Sequence, residues 1–175
     1  GMHPSLLPVG RGRASIPNAI LKSLEFTGVT FFKLVEEVDA GPILSQIKIP
    51  ISRSLDAREL YTKTQNAHVE LMRESIKKIM NNEINFIEQD HSKATFWDGR
   101  KPEDGEIKMN MSLKEAERLV RATTYPYPGA FCFINDKKYI IWEARISIKQ
   151  PLKNELYLTF PEGFLILKKY EISLN

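Results

Sequence analysis

Residues 29–35 form an almost unbroken run of apolar, β-branched and aromatic side chains. Such a run is typical of a strand that is covered on both faces of its sheet. After a polar turn, isoleucines at positions 43, 47, 49 and 51 recur with the spacing of a second strand. Because a sheet covered on both faces needs other elements to cover it, we expect an α/β arrangement.

Two helices are predicted beside these strands. The first opens near Ser15 and ends before Gly28, with apolar residues at helical spacing between them. The second spans residues 56–81. Asp56 and Glu59 form an N-terminal capping pattern there, and an apolar stripe follows every three or four residues.

The second part of the chain has a different character. Helical and strand periodicity is lost over residues 83–108, where turn-forming Asp-Gly and Lys-Pro pairs recur. Ser112 and Glu115 then form a capping box at the start of a short helix. Four strand-like runs follow, and they predict a small antiparallel β unit: residues 131–134, 139–148, 155–160 and 164–170. We therefore divide the chain into three parts, at residues 1–82, 83–111 (a connector) and 112–175.

Composition excludes several classes of protein. With 25 Lys and Arg against 22 Asp and Glu, the net charge of +3 is too small and too dispersed to predict a nucleic-acid-binding surface. Cys132 is the only cysteine, so neither a disulfide framework nor a multi-cysteine zinc site is expected, and its Phe-Cys-Phe setting predicts a buried side chain. No apolar run approaches the roughly 20 residues of a membrane-spanning helix. A cytoplasmic location without membrane or metal is predicted.

Two titratable residues lie beside stiff turns. His3 precedes Pro-Ser-Leu-Leu-Pro, and Asp39 precedes Ala-Gly-Pro. Taken singly, a histidine near a chain end is usually exposed, and an aspartate in such a turn usually caps its own backbone. His68 and His91 are interpreted as structural or exposed. The two tryptophans are interpreted as core aromatics rather than as stacking platforms.

The order of several motifs resembles the folate-dependent formyltransferase family. These motifs are His3-Pro-Ser-Leu-Leu-Pro, Gly28-Val-Thr, Val38-Asp-Ala-Gly-Pro, Lys101-Pro-Glu-Asp-Gly, Arg121-Ala and Tyr125-Pro-Tyr-Pro-Gly-Ala-Phe. The last two are similar to the methionyl-tRNA and sugar-nucleotide branches, and Arg11-Gly-Arg-Ala is most similar to the formyltransferase domain of UDP-aminoarabinose-modifying enzymes. The resemblance implies the C-terminal part of a Rossmann-like formyltransferase domain, followed by a reduced open-barrel (OB-like) β unit.

The resemblance also implies catalytic roles for three positions. The family moves a formyl group from 10-formyltetrahydrofolate to a primary amine, with His3 in the role of the base and Asp39 orienting and charging its imidazole. The third residue is an asparagine two positions before the histidine, where this chain has Gly1, and loss of one such oxyanion donor costs about 100- to 1,000-fold in rate. Gly1 and Met2 together resemble a cleaved tag before an initiator methionine, and the family's N-terminal Rossmann-like half is expected to be missing.

Binding residues are implied in the same way. They are Ser5, Val38, Ala40, Gly41 and Pro42 for the co-substrate 10-formyltetrahydrofolate, and Arg11 and Arg13 for a phosphate of the acceptor, although loop arginines are more often simply solvated. The acceptor is expected to be the amine of a sugar nucleotide. Methionyl-tRNA is less favoured, because the C-terminal β unit lacks a strongly basic surface.

Two functions stay open at this point. The chain is either a 10-formyltetrahydrofolate-dependent N-formyltransferase or a truncated, non-catalytic relative, which acts as a folded fragment or as the partner of a separate folate-binding half. In both cases we expect His3 and Asp39 to lie within reach of one bridging water, with fraying of the chain end loosening His3. We also expect a second copy of the chain to cover the open edge of the strand at residues 29–35, which would give a homodimer.

Overall fold

The computed structural model describes residues 1–173, and their contacts divide them into two units. The first unit comprises residues 1–55 and 59–100, and the second comprises residues 56–58 and the chain from Lys101 onward. The helices and strands are, in chain order, β1 (Met2–His3), β2 (Arg11–Gly12), α1 (Ser15–Leu21), β3 (Phe26–Phe32), β4 (Ile43–Pro50), α2 (Ala57–Met80), β5 (Phe96–Trp97), α3 (Leu113–Thr123), β6 (Ala130–Ile134), β7 (Lys137–Ser147), β8 (Tyr157–Phe160) and β9 (Gly163–Ser173). Short 3-10 helices lie at His91–Lys93 and Pro102–Gly105. The predicted α/β fold with a C-terminal β unit is confirmed.

The main sheet of the first unit has the order β1-β3-β4 and is antiparallel throughout. β3 is its central strand, and its residues 27–30 are buried, as predicted for a strand covered on both faces. Two-residue strand β1 covers part of the edge of β3, and the loop at residues 5–8 contacts β3 at Thr30. The edge that we expected a second copy to cover is therefore partly covered within the chain.

The prediction for the boundaries of β3 was wrong, because the strand begins and ends earlier than residues 29–35. Gly28 lies inside the strand rather than before it and pairs with Lys48 on β4, so close to β4 that a Cβ would collide with the carbonyl oxygen of Ile47. At the other end, Lys33 donates its N–H to the carbonyl of Pro42 at 2.9 Å and leaves the sheet. Leu34 follows it with a side chain that is 71% exposed, so apolar composition alone misplaced this end.

Helix α2 packs one face against the sheet. Its buried positions recur at the three- and four-residue spacing of one helical face, and they are Ala57, Leu60, Thr64, Ala67, Leu71 and Ser75. The hydroxyls of Ser75 and Ser45 on β4 lie 2.7 Å apart. Within residues 1–173, no helix combines the length and the apolar character needed to cross a membrane.

The second unit is a four-stranded antiparallel sheet of order β6-β7-β9-β8, curled into a half-barrel, with helix α3 against β7. Asn135 and Asp136 join β6 to β7 with positive φ values of 49° and 61°, the backbone that a tight two-residue hairpin requires. The capping box of α3 is formed as predicted, with the N–H of Glu115 donating to the hydroxyl of Ser112 at 3.2 Å. Cys132 is buried, and burial raises the pKa of its thiol to about 11.

The segment predicted as a connector, residues 83–111, is divided between the two units at Arg100. Its first part belongs to the first unit through backbone contacts. Ile87 forms a two-way bridge with Ile43, and β5 pairs in parallel with β2. These partners are distant in sequence, so periodicity within the segment did not indicate them.

Candidate active site

The first candidate, His3, is held by the main sheet. β1 places it opposite Thr30, and the ladder continues at Gly1, which exchanges two backbone hydrogen bonds with Phe32 at 2.8 and 3.0 Å. His3 is only 6% exposed. The expected fraying of His3 is therefore wrong, because pairing with β3 anchors the residue.

The imidazole of His3 is fixed on both sides. Its Nε2 lies 2.7 Å from the carbonyl oxygen of Gly10 and 3.2 Å from the hydroxyl of Ser15. A carbonyl only accepts, so Nε2 carries a proton and donates it to Gly10. The opposite nitrogen, Nδ1, lies 3.4 Å from Oδ2 of Asp39. The two groups are thus closer than a water bridge allows, and farther apart than a short ion pair.

The turn after His3 is a rigid backbone unit. Thr30 donates its hydroxyl proton to the carbonyl of Ser5 at 2.7 Å and accepts the N–H of Leu7 at 3.1 Å. Gln46 adds bonds from its amide to the same hydroxyl and to the carbonyl of Leu7. Ser5 is buried, and its hydroxyl donates to the carbonyl of Val9 at 2.7 Å.

The second candidate, Asp39, lies in the loop between β3 and β4 with a left-handed backbone at φ 54°. Its Oδ2 accepts the backbone N–H of Gly12 at 2.9 Å, in addition to facing His3. Gly12 has φ 99°, and a Cβ there would collide with the carbonyl oxygen of Trp97 on the adjacent strand β5. Its glycine therefore permits the close approach that delivers this N–H to the carboxylate.

The loop residues predicted to bind the co-substrate differ in accessibility. The side chain of Val38 is 62% exposed, whereas Ala40 and Gly41 are buried and Pro42 is half-buried. Asp39 itself is half-buried. The loop therefore presents Val38 outward while its other end packs inward.

The two arginines of the Arg-Gly-Arg motif have different environments. Arg11 is 1% exposed, and its guanidinium contacts Gln89, the carboxylate of Glu37 at 3.0 Å and Nδ1 of His91 at 3.2 Å. Arg13 has an exposed side chain. Arg13 is therefore accessible to a phosphate, whereas Arg11 is buried and its guanidinium is already hydrogen-bonded to side chains of the protein.

Gln89 was not anticipated from the sequence. It is 5% exposed, and its amide bonds both to Arg11 and to the backbone of the Asp39 loop. It lies in an aperiodic segment, and no spacing or motif around it signals a functional residue. Only the fold brings it to the site.

A third histidine, His68 on α2, is electrostatically coupled to the site. Burial lowers the pKa of His68, and the charge of His3 lowers it further. Its Nε2 is buried without a hydrogen-bond partner, which also favours the neutral ring. Among residues 1–173, no three His, Cys, Asp or Glu side chains gather as a metal site would require.

Two sequence profiles match the chain. The profile described as formyl transferase matches residues 1–76, and the profile described as formyl transferase, C-terminal domain, matches residues 100–171. The bifunctional polymyxin resistance protein ArnA of Wigglesworthia glossinidia brevipalpis is 32% identical over 173 residues. That match covers 99% of this chain and 26% of the relative, so the chain spans about a quarter of the relative's length.

Solved structures share the fold. HypX from Aquifex aeolicus, in complex with tetrahydrofolic acid, aligns with a TM-score of 0.80 at 18% identity over 97% of this chain and 31% of its own. The N-formyltransferase from Helicobacter canadensis, in complex with folinic acid and dTDP-3-aminofucose, aligns with a TM-score of 0.75 at 21% identity over 97% of this chain and 65% of its own.

Proposed function

The chain belongs to the formyl transferase family, and we propose that His3 and Asp39 are the catalytic pair with which it transfers a formyl group from 10-formyltetrahydrofolate to a primary amine. The observation that supports this most directly is the contact of 3.4 Å between Nδ1 of His3 and Oδ2 of Asp39, with the far side of the ring fixed by Gly10. A solvated terminal histidine or a self-capping aspartate would not produce this arrangement.

The tautomer of His3 determines which atom takes the proton. Because Nε2 donates to Gly10, the lone pair of the neutral ring is on Nδ1. As the amine attacks the formyl carbon, Nδ1 takes an amine proton and the carbonyl oxygen becomes an oxyanion. When the oxyanion collapses, the bond from the carbon to N10 of the folate breaks, Nδ1 gives N10 the proton that it took from the amine, and tetrahydrofolate leaves.

Asp39 supports the charged ring during that step. Its carboxylate lies 3.4 Å from Nδ1, where it offers a negative charge to the imidazolium and can accept the Nδ1 proton once the ring is protonated. The N–H of Gly12 holds the same oxygen in place. His68 stays neutral beside His3 at neutral pH, because its pKa is lowered, so it adds no competing positive charge.

For the acceptor we propose the amino group of a sugar nucleotide. Support comes from the Helicobacter enzyme, described in complex with dTDP-3-aminofucose, and from the ArnA relative. Arg13 is exposed on the first unit, and we assign it to the acceptor phosphate. We assign the exposed Val38 to the co-substrate, whereas Ser5, Ala40 and Gly41 are buried and would shape that site from behind. The homodimer and the cytoplasmic location stay predictions.

The test is formyl transfer by the purified chain, measured by mass spectrometry of an amino sugar nucleotide incubated with 10-formyltetrahydrofolate. Assays run with the chain alone and with a separately expressed folate-binding half added. We expect His3→Gln and Asp39→Asn each to lower the rate by about 100- to 10,000-fold, while Glu162→Gln, at an exposed position of the second unit, leaves it unchanged. Absence of product under both conditions, or equal rates in all variants, would contradict the assignment and favour the non-catalytic relative.

A further inference from the structure

The amide of Gln89 links three parts of the first unit. Its Nε2 donates to the carbonyl oxygens of Asp39 at 2.8 Å and Gly41 at 2.7 Å, and its Oε1 accepts from Nε and Nη2 of Arg11 at 3.2 and 2.8 Å. Carbonyls only accept and a guanidinium only donates, so these partners fix which end of the amide is oxygen. All four hydrogen bonds of the Gln89 side chain are therefore directional and mutually consistent.

Besides the bonds from Gln89, the segment around Asp39 is held by the Gly12 N–H on the Asp39 carboxylate, by Arg11 on Glu37 and by the Lys33 N–H on the Pro42 carbonyl. Asp39 has a left-handed backbone at φ 54°, a conformation that aspartate adopts more readily than most other non-glycine residues but that still favours contacts holding it there. On one side of it, Val38 is 62% exposed and the side chain of Glu37 is 60% exposed. The loop becomes buried from Ala40 onward. Gln89 binds it at this point, through the carbonyl oxygens of Asp39 and Gly41.

Arg11 adds a contact on the exposed side of the loop, at Glu37. Its Nη1 donates to Glu37 at 3.0 Å while Nε and Nη2 hold Gln89. Arg11 lies next to Gly12, whose N–H donates to the Asp39 carboxylate. Strand β2 therefore holds Asp39 in two ways. Gly12 binds the Asp39 carboxylate directly, and Arg11 binds Gln89, which in turn binds the backbone carbonyl of Asp39.

We propose that Gln89 is a positioning residue, which holds the Asp39 carboxylate in place against His3. This inference rests on the proposed function, because the His3–Asp39 pair is what it positions. Gln89 touches neither ring nor carboxylate, and its effect on transfer passes through the backbone of Asp39. Its loss would let Asp39 leave the left-handed conformation and withdraw Oδ2 from both Gly12 and His3.

The decisive variant is Gln89→Glu. It keeps the length of the side chain and the acceptor for Arg11, but it places an oxygen where Nε2 faces two carbonyl oxygens. The matched control is Gln65→Glu, which makes the same change of charge at an exposed position of α2. Gln89→Met, which removes both polar ends without adding charge, serves as the second variant.

The first readout is amide hydrogen exchange by NMR and needs no activity. In Gln89→Glu we expect exchange of the Gly12 amide to rise about tenfold, as one charge-assisted hydrogen bond is lost, and the ring signals of His3 to shift. The amides of β3 and β4 should keep their parent rates, and Gln65→Glu should match the parent throughout. The second readout is transfer, where kcat should fall with KM little changed.

Unchanged Gly12 exchange and unchanged His3 signals in both Gln89 variants would overturn the proposal. So would a general loss of protection across β3 and β4 in both variants, which would make Gln89 merely structural. If the parent chain transfers no formyl group, the proposed function fails, while Gly12 exchange and the His3 ring signals still decide whether Gln89 positions Asp39.

Discussion

The side-chain contacts at the candidate site of the first unit differ in range from those that begin α3 and join β6 to β7 in the second unit. In the first, Arg11 bonds to Gln89, and Gln89 to the loop of Asp39, so the candidate site joins three segments that are far apart in sequence. In the second, α3 starts with a Ser112–Glu115 box and β6 joins β7 through a two-residue turn. Single side-chain losses at the candidate site should therefore act on distant segments, and losses at the Ser112–Glu115 box mainly within α3.

The largest effect is expected from Arg11→Leu. This variant leaves the buried oxygen of Gln89 without its two donors, and we expect it to lower the free energy of unfolding by about 3 kcal/mol. Arg13→Leu, at the exposed arginine of the same motif, should change it by less than about 0.5 kcal/mol. Both changes can be measured by urea unfolding followed by tryptophan fluorescence. Trp142→Phe is introduced in all variants, because Trp97 is then the remaining tryptophan and reports on the first unit. Equal losses of unfolding free energy in the two variants would show that the hydrogen bonds between Arg11 and Gln89 do not stabilise this unit.

A smaller effect is expected from Ser112→Ala in the second unit. The alanine removes the acceptor for the N–H of Glu115, and the loss should be about 1 kcal/mol. Hydrogen exchange should rise in the first turn of α3, and Ser112→Thr should recover most of the protection. A loss as large as that of Arg11→Leu would break the comparison between local and distant contacts.

The same difference of range explains what the sequence could predict. The box at Ser112 and the Asn135-Asp136 turn are each contained in a few neighbouring residues, and the structure has both. The stripe of α2 is buried as far as Leu71, but the prediction that Ile76 and Ile79 continue it was wrong, because they are 45% and 44% exposed. The bounds of β3 were misplaced because they depend on close approach at Gly28 and on the Lys33 bond to Pro42, which no local pattern encodes.

The candidate site divides in the same way. His3 and Asp39 are flanked by recognisable turns, and the structure brings them together at 3.4 Å. Gln89 is not flanked by a recognisable turn. The sequence around Arg11 predicts an ordinary solvated loop arginine, and only the structure shows that it is buried. Polar residues whose partners are distant become visible only when the fold has placed them, which is why the supporting half of the site was missed.

The smallest effect concerns acid, and it belongs to the first unit alone. Burial, and then the charge of His3, lower the pKa of His68 below its usual 6.5, so the unfolded chain takes up this proton before the folded chain does. The contribution of His68 to stability is therefore fully present above about pH 6.5 and is lost as the pH falls from there toward its folded pKa. His68→Gln should flatten the decline of unfolding free energy as the pH falls below 6.5, while leaving the pH dependence above pH 7 unaltered. Unfolding followed by Trp97 at several pH values measures this. Since part of the pKa shift comes from the charge of His3, His3→Gln should produce part of the same flattening. A curve for His3→Gln parallel to that of the parent would mean that the two histidines are not coupled. A parallel curve for His68→Gln would mean that folding does not lower the pKa of His68.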